Sequence, residues 1–194
     1  MTNNNILKEK MVLLIIDMVK DNFVEAKKLP ITPFAKQIIA PINHLIAEFR
    51  KHSLPIVFST DAYHEQDFIF KGRMKPHSIA GTKGAEVIDE LDQRKEDLWL
   101  PKPRFSAFFN TDLNQWLERR EVTLCAVAGI ATHFCVLTTV MDALCHDFKA
   151  VLLEDCTATY SKSMHQQTLD LYGRNPLYPL LRVVSSEALI SELI

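Results

Sequence analysis

Met11-Val12-Leu13-Leu14-Ile15-Ile16-Asp17 is a run of six apolar residues closed by a carboxylate. So short an uninterrupted run reads as a β-strand buried on both faces, the habit of parallel sheets covered by helices. Similar short runs occur at 55–61, 97–100, 122–129, 149–155 and 181–184. Helical patterns lie between them. Over 33–52, Phe34, Ile38, Ile42, Leu45, Ile46 and Phe49 recur at helical spacing. Further helices are expected over 84–91, 111–120 (capped by Thr111 or Asp112), 132–147, 161–172 and at the very end.

Strand–helix alternation from end to end predicts a three-layer α/β/α architecture around a mostly parallel, six-stranded, Rossmann-like sheet. The 194 residues suit one domain over 1–194. Hydrophobic residues make up 47% and charged residues 24%, enough for a full core without staples. With a net charge of −2 and scattered Lys and Arg, neither a nucleic-acid nor a membrane surface is expected. The apolar run 11–16 is far below the roughly 20 residues of a membrane span. The polar start M-T-N-N-N lacks the character of a signal peptide, so a cytoplasmic location is expected. Cys125, Cys135, Cys145 and Cys156 form no C-x-x-C pair and should be free thiols in a reducing compartment.

In parallel α/β sheets, ligands bind beyond the C-terminal ends of the strands. Chemistry-bearing residues gather there: Asp17 ends strand one, Asp61 ends strand two, Lys102 comes after strand three, and Gly129 to Cys135 come after strand four. The turn after strand one, I-I-D-M-V-K-D-N-F, has no G-x-G-x-x-G, so neither nucleotide binding nor any organic cofactor is expected. The long loop from Ala62 to Gly84 has the length of a functional or mobile segment.

Cys135 falls in the first turn of the helix over 132–147. There the helix dipole favours a thiolate, and unpaired backbone N–H groups can receive an oxyanion. The competing reading is a small apolar filler packed behind the helix. A buried Asp17 needs a partner, or else caps the next segment. Lys102 lies in P-K-P-R-F-S-A-F-F, a turn-rich aromatic setting that can hold its ammonium inward, although most lysines are solvated. Together the three make a chemical unit. Asp17 takes the thiol proton, Lys102 stabilises both anions, and Cys135 attacks a carbonyl.

The chain resembles the isochorismatase-like cysteine hydrolases, which include nicotinamidases. The resemblance rests on L-L-I-I-D-M (13–18), G-T-K-G-A-E-V-I-D-E-L (81–91), K-P-R-F-S-A-F-F-N-T-D-L (102–113) and G-I-A-T-H-F-C-V (129–136), with A-L-C-H-D-F-K-A-V-L-L-E-D (143–155) fitting as well. It implies Asp17 as general base, Lys102 as electrostatic partner and Cys135 as nucleophile. It also implies a cis peptide between Ile130 and Ala131, which would turn the amides of Ala131 and Cys135 toward the oxyanion. The implied activity is hydrolysis of a small amide through a thioester.

Nicotinamidase-type members carry a metal pocket whose pattern is D-x-H after strand two, then a carboxylate or histidine, then a histidine before G-T-x-G. Here Asp61 and His77 fit, but Tyr63 stands at the D-x-H histidine and His64 comes one residue later. Zinc or iron held by Asp61, His64, Asp67 and His77 is weighed against a metal-free pocket. The latter is preferred because a one-residue shift re-aims a side chain. Phe23, Phe105, Phe108 and His133 are candidate walls for a small-molecule substrate, against ordinary packing for the phenylalanines and a solvated first-turn position for His133. His44, His52, His146 and His165 read as surface residues. Two other functions stay open: hydrolysis of a vinyl ether, as in isochorismatase itself, and a non-catalytic oligomeric binding module. A homo-oligomer joined near Phe105 to Phe109 is expected.

Overall fold

A computed structural model describes residues 9–193; the polar start at 1–5 lies outside them. Six strands, β1 (Met11–Ile16), β2 (Ile56–Asp61), β3 (Leu98–Lys102), β4 (Leu124–Ile130), β5 (Lys149–Ala158) and β6 (Leu181–Val184), form one sheet in the order β3-β2-β1-β4-β5-β6. Every neighbouring pair is parallel. The helices are α1 (Thr32–Gln37), α2 (Ile39–Lys51), α3 (Leu113–Glu118), α4 (Leu137–Cys145), α5 (Lys162–Gly173) and α6 (Ser186–Ile190). Among the described residues no helix is long and apolar enough to cross a membrane.

β1 shows why the apolar run folds this way. Side chains alternate across a strand. Met11, Leu13 and Ile15 enter the core under α1, α2 and α6, while Val12, Leu14 and Ile16 enter the core under α3, α4 and α5. Both faces are closed, so both sets must be apolar. Truncating one of these buried leucines to alanine costs about 2–5 kcal/mol.

Three expectations are corrected. The helix over 33–52 is two helices, interrupted at Ile38. The helix over 132–147 opens with a π-type turn, Thr132–Val136, before α4. Over 84–91 there is only a 3₁₀ turn, Lys83–Ala85. Beyond it the backbone pairs with the chain after β1: Lys20 N–H donates to the Glu86 carbonyl (2.9 Å) and Ile88 N–H to the Met18 carbonyl (3.0 Å). Val87, Ile88 and Leu91 still bury, but their backbone groups are satisfied from outside rather than by a helix.

Candidate active site

In this strand order the chain leaves the central strands β1 and β4 in opposite directions. In folds of this kind, ligands bind at the C-terminal ends of such a pair of strands. Asp17 sits there with φ of +54°, a left-handed conformation that Asp adopts more readily than bulkier residues. Its N–H donates to the Ser59 carbonyl (2.9 Å). Its Oδ1 accepts the Asp61 N–H at 2.8 Å. Gly129, at the end of β4, has φ of +105°, and a Cβ there would lie 2.1 Å from the Ile16 carbonyl oxygen. Only glycine lets β4 run this close to β1.

Lys102 pairs in register with Asp61, the last residue of β2. Its side chain has no solvent exposure. Nζ donates to Asp17 Oδ2 at 2.9 Å and also to Asp61 Oδ1. One buried ammonium therefore serves two buried carboxylates. The sulfur of Cys135 completes the cluster: it and the carboxylate oxygens of Asp17 and Asp61 lie within 4.8 Å of one another. Cys135 is held by its backbone. Its carbonyl accepts the Thr139 hydroxyl (2.8 Å), and that hydroxyl accepts the Ala107 N–H (3.1 Å), tying α4 to the aromatic loop after β3. The Ile130–Ala131 peptide is cis.

The electrostatics stem from burial. Burial and the Asp61 charge push Asp17 up to about 7, with Lys102 opposing them. Burial works against the Lys102 charge, but Asp17 and Asp61 outweigh it and hold the amine above its ordinary range. Burial pushes the Cys135 thiol well up, and Asp17 adds to the rise while Lys102 opposes it. This runs against the expectation that the helix terminus favours a thiolate at Cys135. At neutral pH the resting sulfur carries its proton, beside a carboxylate that titrates near 7.

The four sequence-predicted metal ligands do not gather. Asp61 is committed to Lys102. His64 is exposed, and its N–H is capped by Asp67, whose carboxylate also pairs with Arg104 at 3.2 Å. The Nδ1 of His77 lies 2.9 Å from the Lys75 carbonyl. Among the described residues, the one cluster of three such side chains is Asp17, Asp61 and Cys135. The ammonium already between its carboxylates makes it a poor cation site. Tyr63 fills the gap. It is buried, its ring packs edge-on against Phe70 and His77, and its phenol adjoins Asp61. A tyrosine two residues after Asp61 is the sequence signal for this arrangement.

The aromatic candidates separate. Phe108 is a core residue, stacked on His146 (5.0 Å between centroids) and Phe148 (6.1 Å). Its expected place in a substrate wall is withdrawn. Phe105 is half-buried and meets the exposed Phe134 edge-to-face at 4.7 Å. Phe23 is half-buried against the core face beneath α1 and α2. His133 is half-buried and held at both ring nitrogens: Nε2 lies 2.8 Å from the Tyr160 hydroxyl and Nδ1 3.0 Å from Thr159 Oγ1. Phe134 and Tyr160 escape the sequence reading, since a single aromatic beside a turn has no distinctive spacing.

The isochorismatase domain model matches residues 11–175. The chain belongs to the isochorismatase hydrolase family. A probable inactive nicotinamidase of Arabidopsis thaliana is 31% identical over 186 residues, 90% of this chain and 94% of that protein. N-carbamoylsarcosine amidase of Thermoplasma acidophilum superposes with a TM-score of 0.78 at 29% identity, covering 92% of this chain and 97% of that one. Pyrazinamidase of Pyrococcus horikoshii in complex with zinc gives 0.77 at 26% identity, covering 91% and 99%.

Proposed function

We propose that this isochorismatase-family protein is a cysteine-dependent hydrolase of a small amide. The observation that carries the reading is the buried cluster in which one ammonium, two carboxylates and one thiol meet at the C-terminal edge of β1, β2, β3 and β4. Asp17, in its ionised form, takes the proton from Cys135, and the thiolate forms a bond to the amide carbonyl carbon. Negative charge moves to the carbonyl oxygen, where the amides of Ala131 and Cys135 are assigned to receive it. The C–N bond then breaks, and Asp17 returns its proton to the departing ammonia or amine. Water attacks the thioester as Asp17 takes up its proton. The C–S bond breaks, the carboxylic acid leaves, and the sulfur regains a proton. Lys102 stays charged throughout and stabilises each anion in turn.

The amidase named among the structural neighbours supports amide chemistry. The probable inactive plant relative keeps a non-catalytic role in view. Here, however, no member of the cluster is missing. Phe105, the half-buried Phe23 and Phe134 are the assigned aromatic walls, and a small planar or aliphatic amide is the substrate class. The proposal includes a homo-oligomer using the exposed Phe109, which sedimentation showing only monomer would remove. The deciding experiment is an ammonia-release screen on nicotinamide, pyrazinamide and short aliphatic amides, with wild type and Cys135→Ala, with and without added zinc. Turnover lost in Cys135→Ala is expected. Turnover surviving that change overturns covalent catalysis.

A further inference from the structure

Cys135 rides on the turn Thr132–Val136, whose hydrogen bonding is irregular: the Ala131 carbonyl accepts N–H groups from both Phe134 (2.9 Å) and Val136 (3.3 Å). Such a π-type turn has weaker internal support than an α-helix. Support arrives from α5. Thr132, fully buried, places its hydroxyl 2.9 Å from Nδ1 of His165. Nε2 of the same ring lies 3.1 Å from the Glu154 carbonyl oxygen. A carbonyl only accepts, so Nε2 carries the proton, and Nδ1 of the neutral ring accepts from the Thr132 hydroxyl. Partial burial holds the imidazole below its ordinary pKa, which favours the neutral ring. His165 also lines a cleft of about 410 Å³ bounded by Phe34, Ile38, Thr159 and Lys162. Asp17, Lys102 and Cys135 are not among its walls. One side of the ring thus meets open space and the other meets the turn that bears the sulfur.

We propose that His165 is a positioning residue, a neutral clamp that fixes Thr132 to the Glu154 carbonyl and so holds the turn that aims Cys135 at Asp17. The proposal rests on the reading of Cys135 as nucleophile. Neither His165 nor Thr132 touches the reacting cluster; both act through the turn.

The test pairs His165→Ala, which removes the ring from a helix that alanine suits, with Thr132→Val, which removes the hydroxyl at nearly constant shape. Each variant should lower kcat about tenfold with KM changed less than about twofold, the scale of one lost hydrogen bond in a coupled site. Each should also speed amide hydrogen exchange over 131–136. The double variant should be no worse than either single one, because both break the same link. Added imidazole, admitted by the cleft, should restore part of the kcat of His165→Ala and do nothing for Thr132→Val. Unchanged kcat and unchanged exchange in His165→Ala, or losses that add in the double variant, overturn the clamp. Should the wild type release ammonia from no amide tried, the amidase reading falls, while exchange in the same variants still decides the role of His165.

Discussion

Lys102 and Asp61 stand side by side in the β2–β3 register, and the lysine bridges from there to Asp17, the residue after β1. The sheet itself thus brings three charges to one point. Burial, with the charge of the second carboxylate added to it, raises Asp17 to about 7. Activity that needs ionised Asp17 should rise with pH through about 7. Asp61→Asn removes the like charge and should move this acidic limb of kcat/KM to lower pH. A limb that stays in place in Asp61→Asn would show that Asp61 does not set the base.

Asp17 also links pH to stability. Its folded pKa of about 7 is above the ordinary carboxylate value of 3.8. The native state therefore binds the proton more tightly than the unfolded chain. The stability this contributes is complete below about 3.8 and is lost as pH rises through about 7. Asp17→Asn keeps an acceptor for the Asp61 N–H but has no charge to bury. It should lower kcat by about 10²–10⁴-fold, as expected for a lost general base. At pH 8 it should melt no lower than wild type. A clear drop in melting temperature at pH 8 would contradict this balance.

Lys102→Met leaves two buried carboxylates facing each other without their cation. Removing one partner of a buried ion pair typically costs about 3–5 kcal/mol. Urea denaturation should show a loss of that order near neutral pH, shrinking in acid as the carboxylates protonate. Adding Asp61→Asn should recover part of it. Equal destabilisation at pH 5 and pH 8 would mean that lost packing, not charge, is responsible.

The frame of the fold is legible in the sequence because periodicity reports burial directly. The unbroken run 11–16 has to be a strand covered on both sides. Asp17, Lys102 and Cys135 stand out because each lies at or beyond the C-terminal end of a strand, at the edge where such sheets bind ligands. The features that stay hidden depend on contacts between distant segments. The stretch after Gly84 has helical spacing, yet its backbone is claimed by Lys20 and Met18. Phe108 reads as a pocket wall because nothing local announces His146 and Phe148 behind it. His165 reads as a surface residue because its two partners, Thr132 and Glu154, come from other segments. The upward shift of the Cys135 thiol is equally out of reach, since a helix terminus is visible in sequence but depth of burial is not.

Gly129 is the tightest point between β1 and β4. Its φ of +105° strains any other residue, and a methyl group there would meet the Ile16 carbonyl oxygen at 2.1 Å. Backbone cannot give way as a flexible side chain can. Gly129→Ala should cost at least about 4 kcal/mol, among the largest effects of a single change. The control is Gly173→Ala, at the end of α5, where nothing beyond the adjoining helix backbone lies within 4 Å of the added methyl. If Gly129→Ala melts within a few degrees of the control, the close approach of the two strands is wrong.

A pyrazinamidase solved in complex with zinc is among the structural neighbours, whereas the residues of this chain predict catalysis without a metal. Asp61 is held by Lys102, and a divalent ion at that carboxylate would sit against a buried ammonium. Tyr63, whose phenol is pushed above its ordinary range by burial and by the charge of Asp61, keeps its proton and offers a poor ligand. Asp67 pairs with Arg104 and accepts the His64 backbone N–H, His77 contacts the Lys75 carbonyl, and the exposed His64 joins no cluster of potential ligands among the described residues. Dialysis against a chelator should therefore leave ammonia release unchanged, and elemental analysis of the purified protein should find far less than one zinc or iron per chain. Tyr63→Phe keeps the packed ring but removes the hydroxyl beside Asp61. It should lower kcat about tenfold without creating a metal requirement. One tightly held ion per chain, lost together with activity on chelation, would mean that Asp61 leaves Lys102 to bind it.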